Sequence, residues 1–286
     1  MNNFCQLLIE GIFSGLLYFL MASGLLIVFG VLRVVNLSHG SFFALGSYIS
    51  YILYQLGQKN PIIWLFTAFI ISFFLGAVLG RFLIIRIRKQ KMASAVLTLA
   101  VALIFEQLFQ YFYGPFSLNI QSDFCSFRIG EIVFKKLEIT GIIAAFIFAS
   151  IFALFLKTRW GIALKAIAED EELGIIAGVK INRFYWLSFG FSSAIAALSG
   201  VFLSTSLSIN PVMGRMPLIF SIIVIIVSGF DNPVLTFFVG IFLGVFSSLI
   251  GSLVSVTYIY PSFLTIALIL LIIRPYGLIS RKIVRD

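Results

Sequence analysis

The sequence predicts an all-α, polytopic integral membrane protein of about eight or nine transmembrane helices. One of these is expected to be broken or re-entrant, and a short cytoplasmic helix is expected in the longest polar loop. Three observations predict this class. Hydrophobic residues make up 61% of the 286 residues and charged residues only 11%, against roughly a quarter charged in soluble domains. Several apolar runs reach the about 20 residues that a helix rising 1.5 Å per residue needs to cover a core of roughly 30 Å. The basic residues fall in blocks between those runs, as they do in cytoplasmic loops. That bias accounts for the net charge of +9, so no nucleic-acid partner is implied. The expected surroundings are a lipid bilayer.

The first apolar segment runs from about Leu7 to Val31. Its start, MNNFCQLLIEG, lacks the basic residues of a cleaved signal peptide, so the segment is expected to be retained. Gly11, Gly15, Gly24 and Gly30, with Ser14, Ala22 and Ser23, suit close helix packing. A polar stretch follows, Asn36 to Ser41, and then the short run Phe42 to Leu56. That run is too short to span comfortably unless Asn36–Ser41 lies within the membrane. Irregular polar backbone at that depth is tolerated only where protein buries it or where it lines a water-filled cavity. Asn36, Ser38, His39, Gly40 and Ser41 are therefore the first candidates for a polar path.

The third segment, Ile62 to about Ile85, ends in the basic block Arg86 to Lys91, which marks a cytoplasmic loop. The fourth, Ala93 to Tyr113, carries Glu106, Gln107 and Gln110. An ionisable group at membrane depth costs roughly 2.5–3.5 kcal/mol on insertion scales, so Glu106 should face protein or water. It is either a polar contact on a pathway or an interhelical hydrogen bond with Gln107 or Gln110 close by. Residues 114–138 are mixed in charge and are expected to form an external loop; the fifth segment is Ile139 to Leu156.

The polar loop 157–183 is the longest interruption in the chain. Trp160 to Ala177 reads as an amphipathic helix, capped by Thr158 and ended by Gly178 in a left-handed conformation. Lys165 and Glu169 are four apart and can pair. Glu169, Asp170, Glu171 and Glu172 form an acidic patch beside Leu164, Ile167, Leu173 and Ile176. Such a helix suits docking of a water-soluble partner, or simply lies solvated on the membrane face. Gly174 is expected to allow close approach of another backbone.

The sixth segment, Phe184 to Leu203, offers Ser188, Ser192, Ser193, Ser199 and Gly200 for packing. Pro211, Gly214, Arg215 and Pro217 suggest a turn before a short seventh segment, Leu218 to about Ser228. Gly229 to Pro233 reads as one helix ending and another starting, with Asp231 or Asn232 as cap and Pro233 in the first turn. The eighth segment is Val234 to Leu253 and the ninth Phe263 to Ile273. The basic tail from Arg274 lies on the cytoplasmic side by the same charge rule. No linker divides the chain, so a single membrane domain, 1–286, is expected.

Four stretches resemble a known family when taken in order: FGVLRVVNLSHGSFFALGSY (Phe29–Tyr48, with Asn-x-x-His-Gly), LTLAVALIFEQLFQYFYG (Leu97–Gly114), TRWGIALKAIAEDEELGIIAGVKINR (Thr158–Arg183) and LIIRPYGL (Leu271–Leu278). Together they look like the permease subunit of a bacterial ABC importer of the branched-chain amino acid type, the H-type subunit of the leucine/isoleucine/valine system. The resemblance implies a heterodimer with a second, homologous permease subunit. It also implies two cytoplasmic ATPase subunits, with the 157–183 helix docked in a groove on one of them, and a periplasmic amino-acid-binding protein. ATP would be bound by those partners, and no cofactor is expected on this chain. The implied location is the bacterial inner membrane, multi-pass, with a cytoplasmic C-terminus. The family usually has a Gly-Gly-x-Gly-Ser-like turn where this chain has Ser228 to Asn232.

His39 is the single histidine, and neither a Gly-x-Ser-x-Gly elbow nor a His-Glu-x-x-His motif occurs. No catalytic residue and no metal site is expected. His39 either hydrogen-bonds substrate or satisfies carbonyls freed by the Asn36 break. Cys5 and Cys125 make no metal site or disulfide framework, though if both face outward they could pair. Two other functions stay open on the residues alone: a urea or short-amide importer of the same permease family, and an ion-coupled secondary transporter with Glu106 as coupling residue.

Overall fold

A computed structural model describes residues 2–32, 36–87, 90–120, 126–129, 132–169, 180–229 and 233–273. The elements are helical almost throughout. In order they are α1 (Asn2–Leu32), α2 (His39–Gln55), α3 (Pro61–Leu79), α4 (Lys91–Tyr113), α5 (Lys136–Phe155), α6 (Arg159–Glu169), α7 (Ile181–Leu203), α8 (Arg215–Ser228), α9 (Pro233–Leu253) and α10 (Ile259–Ile273). Among the described residues, six helical stretches are long and apolar enough to cross a membrane by length and composition. They are Phe4–Phe29, Pro61–Ile87, Met92–Tyr113, Glu138–Phe155, Ile181–Leu203 and Pro233–Leu253, with Arg215–Ser228 and Val256–Ile269 as shorter apolar helices. The chain is a multi-pass, all-α membrane protein.

Helix boundaries follow local chemistry. Asn60 caps α3 by accepting from the backbone N–H of Ile62 at 3.0 Å, with Pro61 in the first position. A π-turn, Gly80–Ile84, carries α3 on to Ile87. Gly57 closes α2 at φ +79°, and the backbone N–H of Gln58 bonds Leu53 O at 2.9 Å. Gly229 at φ +81° ends α8, and α9 opens on Pro233, matching the expected break; Asp231 and Asn232 lie outside the described residues.

The structure revises three expectations. His39, Gly40 and Ser41 are not irregular backbone but the first turn of α2. Arg215 and Pro217 belong to α8 and not to a turn before it; a proline third in a helix forfeits no intrahelical bond, because the first turn's N–H groups have no acceptor. The 114–138 loop contains a two-stranded antiparallel hairpin, β1 (Ser126–Ile129) with β2 (Ile132–Lys135), registered Ser126 to Lys135 and Ile129 to Ile132. α5 then starts at Lys136, inside the stretch expected as loop.

The chain divides into two compact units. The first comprises Met1–Ala22, Asp123–Ala153 and Ile219–Asp286. Here α1 and α9 run antiparallel: Ser248 Oγ donates to Leu7 O at 2.8 Å, and Phe19 meets Phe237 edge-on at 5.2 Å. Between those ends, Gly11 and Gly15 face Gly244 and Gly240 so closely that a Cβ on Gly11 would stand 2.7 Å from Val245 Cα. Two Gly-x-x-x-Gly pairs thus oppose each other. Lipid tails are as apolar as leucine, so helices in a bilayer associate through dispersion and close backbone approach.

The second unit comprises Ser23–Ser122 and Leu154–Leu218. Its core is α7, whose span is 78% buried, against 28% for α3 and for α4. α3 packs antiparallel on α7, with Gly76 against Ser193, Gly80 against Phe189, and Gly190 against Phe73. The expected packing positions Ser188, Ser192, Ser193, Ser199 and Gly200 are all buried. The exposed apolar residues of α3 (Phe66, Phe74) and of the π-turn after it (Phe82) suit lipid contact, as do Ile104 and Leu108 of α4.

Candidate functional site

The polar stretch before α2 is held by its own side chains. Asn36 Oδ1 accepts from both the backbone N–H of Ser38 (3.1 Å) and the Ser38 hydroxyl (2.7 Å). The backbone N–H of His39 bonds Asn36 O at 3.3 Å, and those of Ser41 and Phe42 bond Ser38 O. This winds the first turn of α2 directly out of the polar stretch. Asn36 is 1% exposed, and its Nδ2 finds no hydrogen-bond partner among the described residues.

Neighbouring helices complete the enclosure. Thr98 Oγ1 on α4 accepts from the backbone N–H of Leu37 at 3.2 Å, and the Ser41 hydroxyl donates to Ala102 O at 3.4 Å. Further along, Phe42 packs against Phe105 and Tyr48 stacks on Phe109 at 4.4 Å. Rising numbers thus pair with rising numbers, and α2 and α4 run parallel. His39 Nδ1 lies 3.2 Å from Ser192 Oγ on α7, with the donor set by the imidazole tautomer. The ring fits there because α1 offers Gly24: a Cβ at that position would stand 2.8 Å from His39 Cε1. Gly40 packs reciprocally against Gly214, and the α2–α7 crossing puts Gly46 against Ala197 and Gly200 against Phe43. The Ser47 hydroxyl donates to Gly200 O at 2.8 Å.

Imidazole and hydroxyl at this distance form a nucleophile–base pair wherever a substrate can reach them. Here both residues are fully buried, so the contact is one of packing. Asn36, Ser38, His39, Gly40 and Ser41 therefore come together as one enclosed polar node joining α1, α2, α4 and α7.

Glu106 has a different partner from those the sequence suggested. Arg215, at the start of α8, donates through Nε to Oε1 at 2.9 Å and through Nη2 to Oε2 at 2.6 Å. The guanidinium side chain is 59% exposed and the carboxylate side chain 12%. Arg215 was missed as a site residue because Pro211, Gly214 and Pro217 around it signal a turn. The usable signal was the need of an acid within a membrane-length helix for a cation.

In the 157–183 loop, α6 begins as expected. Thr158 O accepts from the backbone N–H of Ile162 at 2.9 Å, and Thr158 Oγ1 from that of Gly161 at 3.3 Å. Leu164 and Ile167 are buried, while Trp160 is exposed and meets Phe184 at 5.1 Å. Lys165 and Glu169 are helical in backbone. Asp170, Glu171, Glu172, Gly174 and Gly178 lie outside the described residues, as do Cys125 and the tail from Arg274; Cys5 is a free, exposed thiol.

The family model described as branched-chain amino acid transport system / permease component matches residues 7–273. The high-affinity branched-chain amino acid transport system permease protein LivH of Escherichia coli (strain K12) is 24% identical over 300 residues, covering 97% of this chain and 96% of its own. The corresponding protein BraD of Pseudomonas aeruginosa is 24% identical over 297 residues, covering 98% and 96%. A probable branched-chain amino acid transport permease protein LivH of Methanocaldococcus jannaschii is 25% identical over 292 residues, covering 96% and 92%.

Proposed function

The chain belongs to the permease component family of branched-chain amino acid transport systems, and from that premise we propose that it is the permease subunit of an ATP-driven importer of branched-chain amino acids in the bacterial inner membrane. The observation that carries this reading is the family match across 7–273 together with apolar helices of membrane-crossing length. In this reading the chain does no chemistry of its own. It pairs with a second, homologous permease subunit, binds two ATPase subunits on the cytoplasmic side, and receives amino acid from a periplasmic binding protein. The C-terminus is cytoplasmic, following the basic blocks at Arg86–Lys91 and from Arg274 onward.

Support for the docking role comes from α6. It is short and amphipathic, anchored through Leu164 and Ile167, and lies between two helices of spanning length. The acids Glu169, Asp170, Glu171 and Glu172 follow it and would meet basic residues of an ATPase. By their spacing Lys165 and Glu169 would pair, Gly178 would end the helix, and Gly174 would allow close approach of another backbone. ATP closure below would then move helices whose polar node, Asn36 to Ser41, sits among four of them.

The test is reconstitution of the chain with its partner subunits and binding protein in vesicles. Leucine uptake should require ATP and survive collapse of the proton gradient. Uptake that continues without ATP and stops when the gradient is dissipated would overturn the reading.

A further inference from the structure

We propose that Glu106 and Arg215, flanked by Gln107 and Gln110, form a binding site for a zwitterionic α-amino acid that enters by exchange with their ion pair. The proposal rests on the amino-acid importer reading and names the ligand chemistry of one place within it. Three observations carry it.

The first is geometric. Arg215 engages both carboxylate oxygens of Glu106, through Nε at 2.9 Å and Nη2 at 2.6 Å. This two-pronged fit is one that an α-carboxylate reproduces oxygen for oxygen. The second is access. The Arg215 side chain is 59% exposed while the Glu106 side chain is 12% exposed, so the pair shows its cationic half to an arriving molecule.

The third is the setting. Glu106, Gln107 and Gln110 fall within two turns of a helix that is long and apolar enough to cross a membrane, and Gln107 and Gln110 are exposed. Amides and an acid turned to hydrocarbon would be costly, so the edge of α4 that carries Glu106, Gln107 and Gln110, with Leu103 between them, meets water or protein and leaves lipid to the rest of the helix.

Charge bookkeeping then selects the ligand. An anion that captured Arg215 would strand the charge of Glu106, and a cation that captured Glu106 would strand that of Arg215. A neutral amide such as urea offers neither group. A zwitterion offers both: its carboxylate takes Arg215, its ammonium takes Glu106, and two ion pairs replace one with no net charge brought in. The resting pair is then a closed form that opens only to a molecule carrying an ammonium and a carboxylate on the same carbon.

The test uses the intact transporter complex in lipid nanodiscs and its thermal unfolding midpoint. The probes are leucine, leucinamide (no anion), N-acetylleucine (no cation) and urea, each across the same millimolar range. Leucine should raise the midpoint and the other three should not. Glu106→Gln and Arg215→Gln should each raise the leucine concentration for half-maximal protection by about tenfold, the change for loss of one charge-assisted contact, and Arg215→Lys should lie between. If a single variant does not fold, the double variant Glu106→Gln with Arg215→Gln leaves no unpaired charge; it should fold and show no leucine response. Absent protection by leucine, equal protection by leucinamide, or an unshifted response in the variants overturns the site. ATP-dependent leucine uptake by the wild-type complex is scored separately: its absence sinks the importer reading, whereas uptake together with unshifted variants sinks only this site.

Discussion

Gly244 and Gly24 are the same residue in the same kind of place, a helix within a membrane-spanning unit, yet they face different things. In the first unit, a Cβ on Gly244 would meet the backbone of Gly15 and Gly11. In the second unit, a Cβ on Gly24 would meet the His39 ring at 2.8 Å, with Ser192 O behind it at 3.1 Å. The α1–α9 seam uses glycine to bring two backbones together. The node around His39 uses it to make room for a polar side chain where no water can solvate one. Main chain in full overlap cannot be cut away by mutation, whereas a side chain can, so the two regions should answer differently to a second mutation.

The largest effect is expected in the first unit. Gly244→Ala gains about 1 kcal/mol of helix propensity, but the overlap with Gly15 and Gly11 should outweigh it and leave a net loss of about 3 kcal/mol. The thermal midpoint and the yield of monodisperse protein in detergent measure this. Gly251→Ala, on the same helix, is the control, because its nearest neighbour is the free end of Ile259, Cδ1 at 3.0 Å; it should be neutral or stabilising by up to about 1 kcal/mol. If both variants behave alike, the backbone seam does not hold that unit together.

In the second unit the polar node should respond through hydrogen bonds. Asn36→Ala removes the acceptor for the N–H and hydroxyl of Ser38, leaving buried donors unmet at a cost of about 2 kcal/mol. Ser38→Ala removes only one of those donors together with its own need, and should cost about half as much. The same thermal measurement ranks the two. A wild-type midpoint for Asn36→Ala would mean that the stretch is held by something other than its asparagine.

Much of this was legible in one dimension. Apolar length and basic blocks belong to the chain alone, so the spans stood out, as did the Thr158 start of α6 and the Gly229 end of α8. Contacts between distant residues were not legible. Glu106 plainly needed a partner, but Arg215 is 109 residues away and was disguised by flanking turn formers. The glycine pair in α1 was visible, and so is the same spacing at Gly240 and Gly244, but nothing in sequence order says that one seats on the other. The hairpin at Ser126–Lys135 was hidden by the mixed charges of its loop. The polarity of Asn36 to Ser41 did mark a special place. That His39 opens a helix there depends on Asn36 Oδ1 holding the N–H and hydroxyl of Ser38, an arrangement settled only when both residues are buried.

The smallest effect is the most discriminating. Gly24→Ala should cost about 1 kcal/mol in the wild-type chain, the propensity gain of alanine being overcome by contact with a ring that is itself fixed to Ser192. In a His39→Ala background the ring is gone, and of the three nearest atoms Ser192 O remains, at 3.1 Å, where a shift of a few tenths of an ångström suffices, unlike the full overlap with main chain at Gly244. There the same substitution should be neutral or slightly stabilising, so the two changes fail to add by about 1–2 kcal/mol. Gly244→Ala should show no such rescue with any side-chain truncation, since the atoms it meets are main chain. Thermal midpoints of the four proteins in the Gly24/His39 cycle decide the matter: strict additivity would mean that Gly24 is small for the sake of a backbone contact after all, and the distinction between the two regions would be lost.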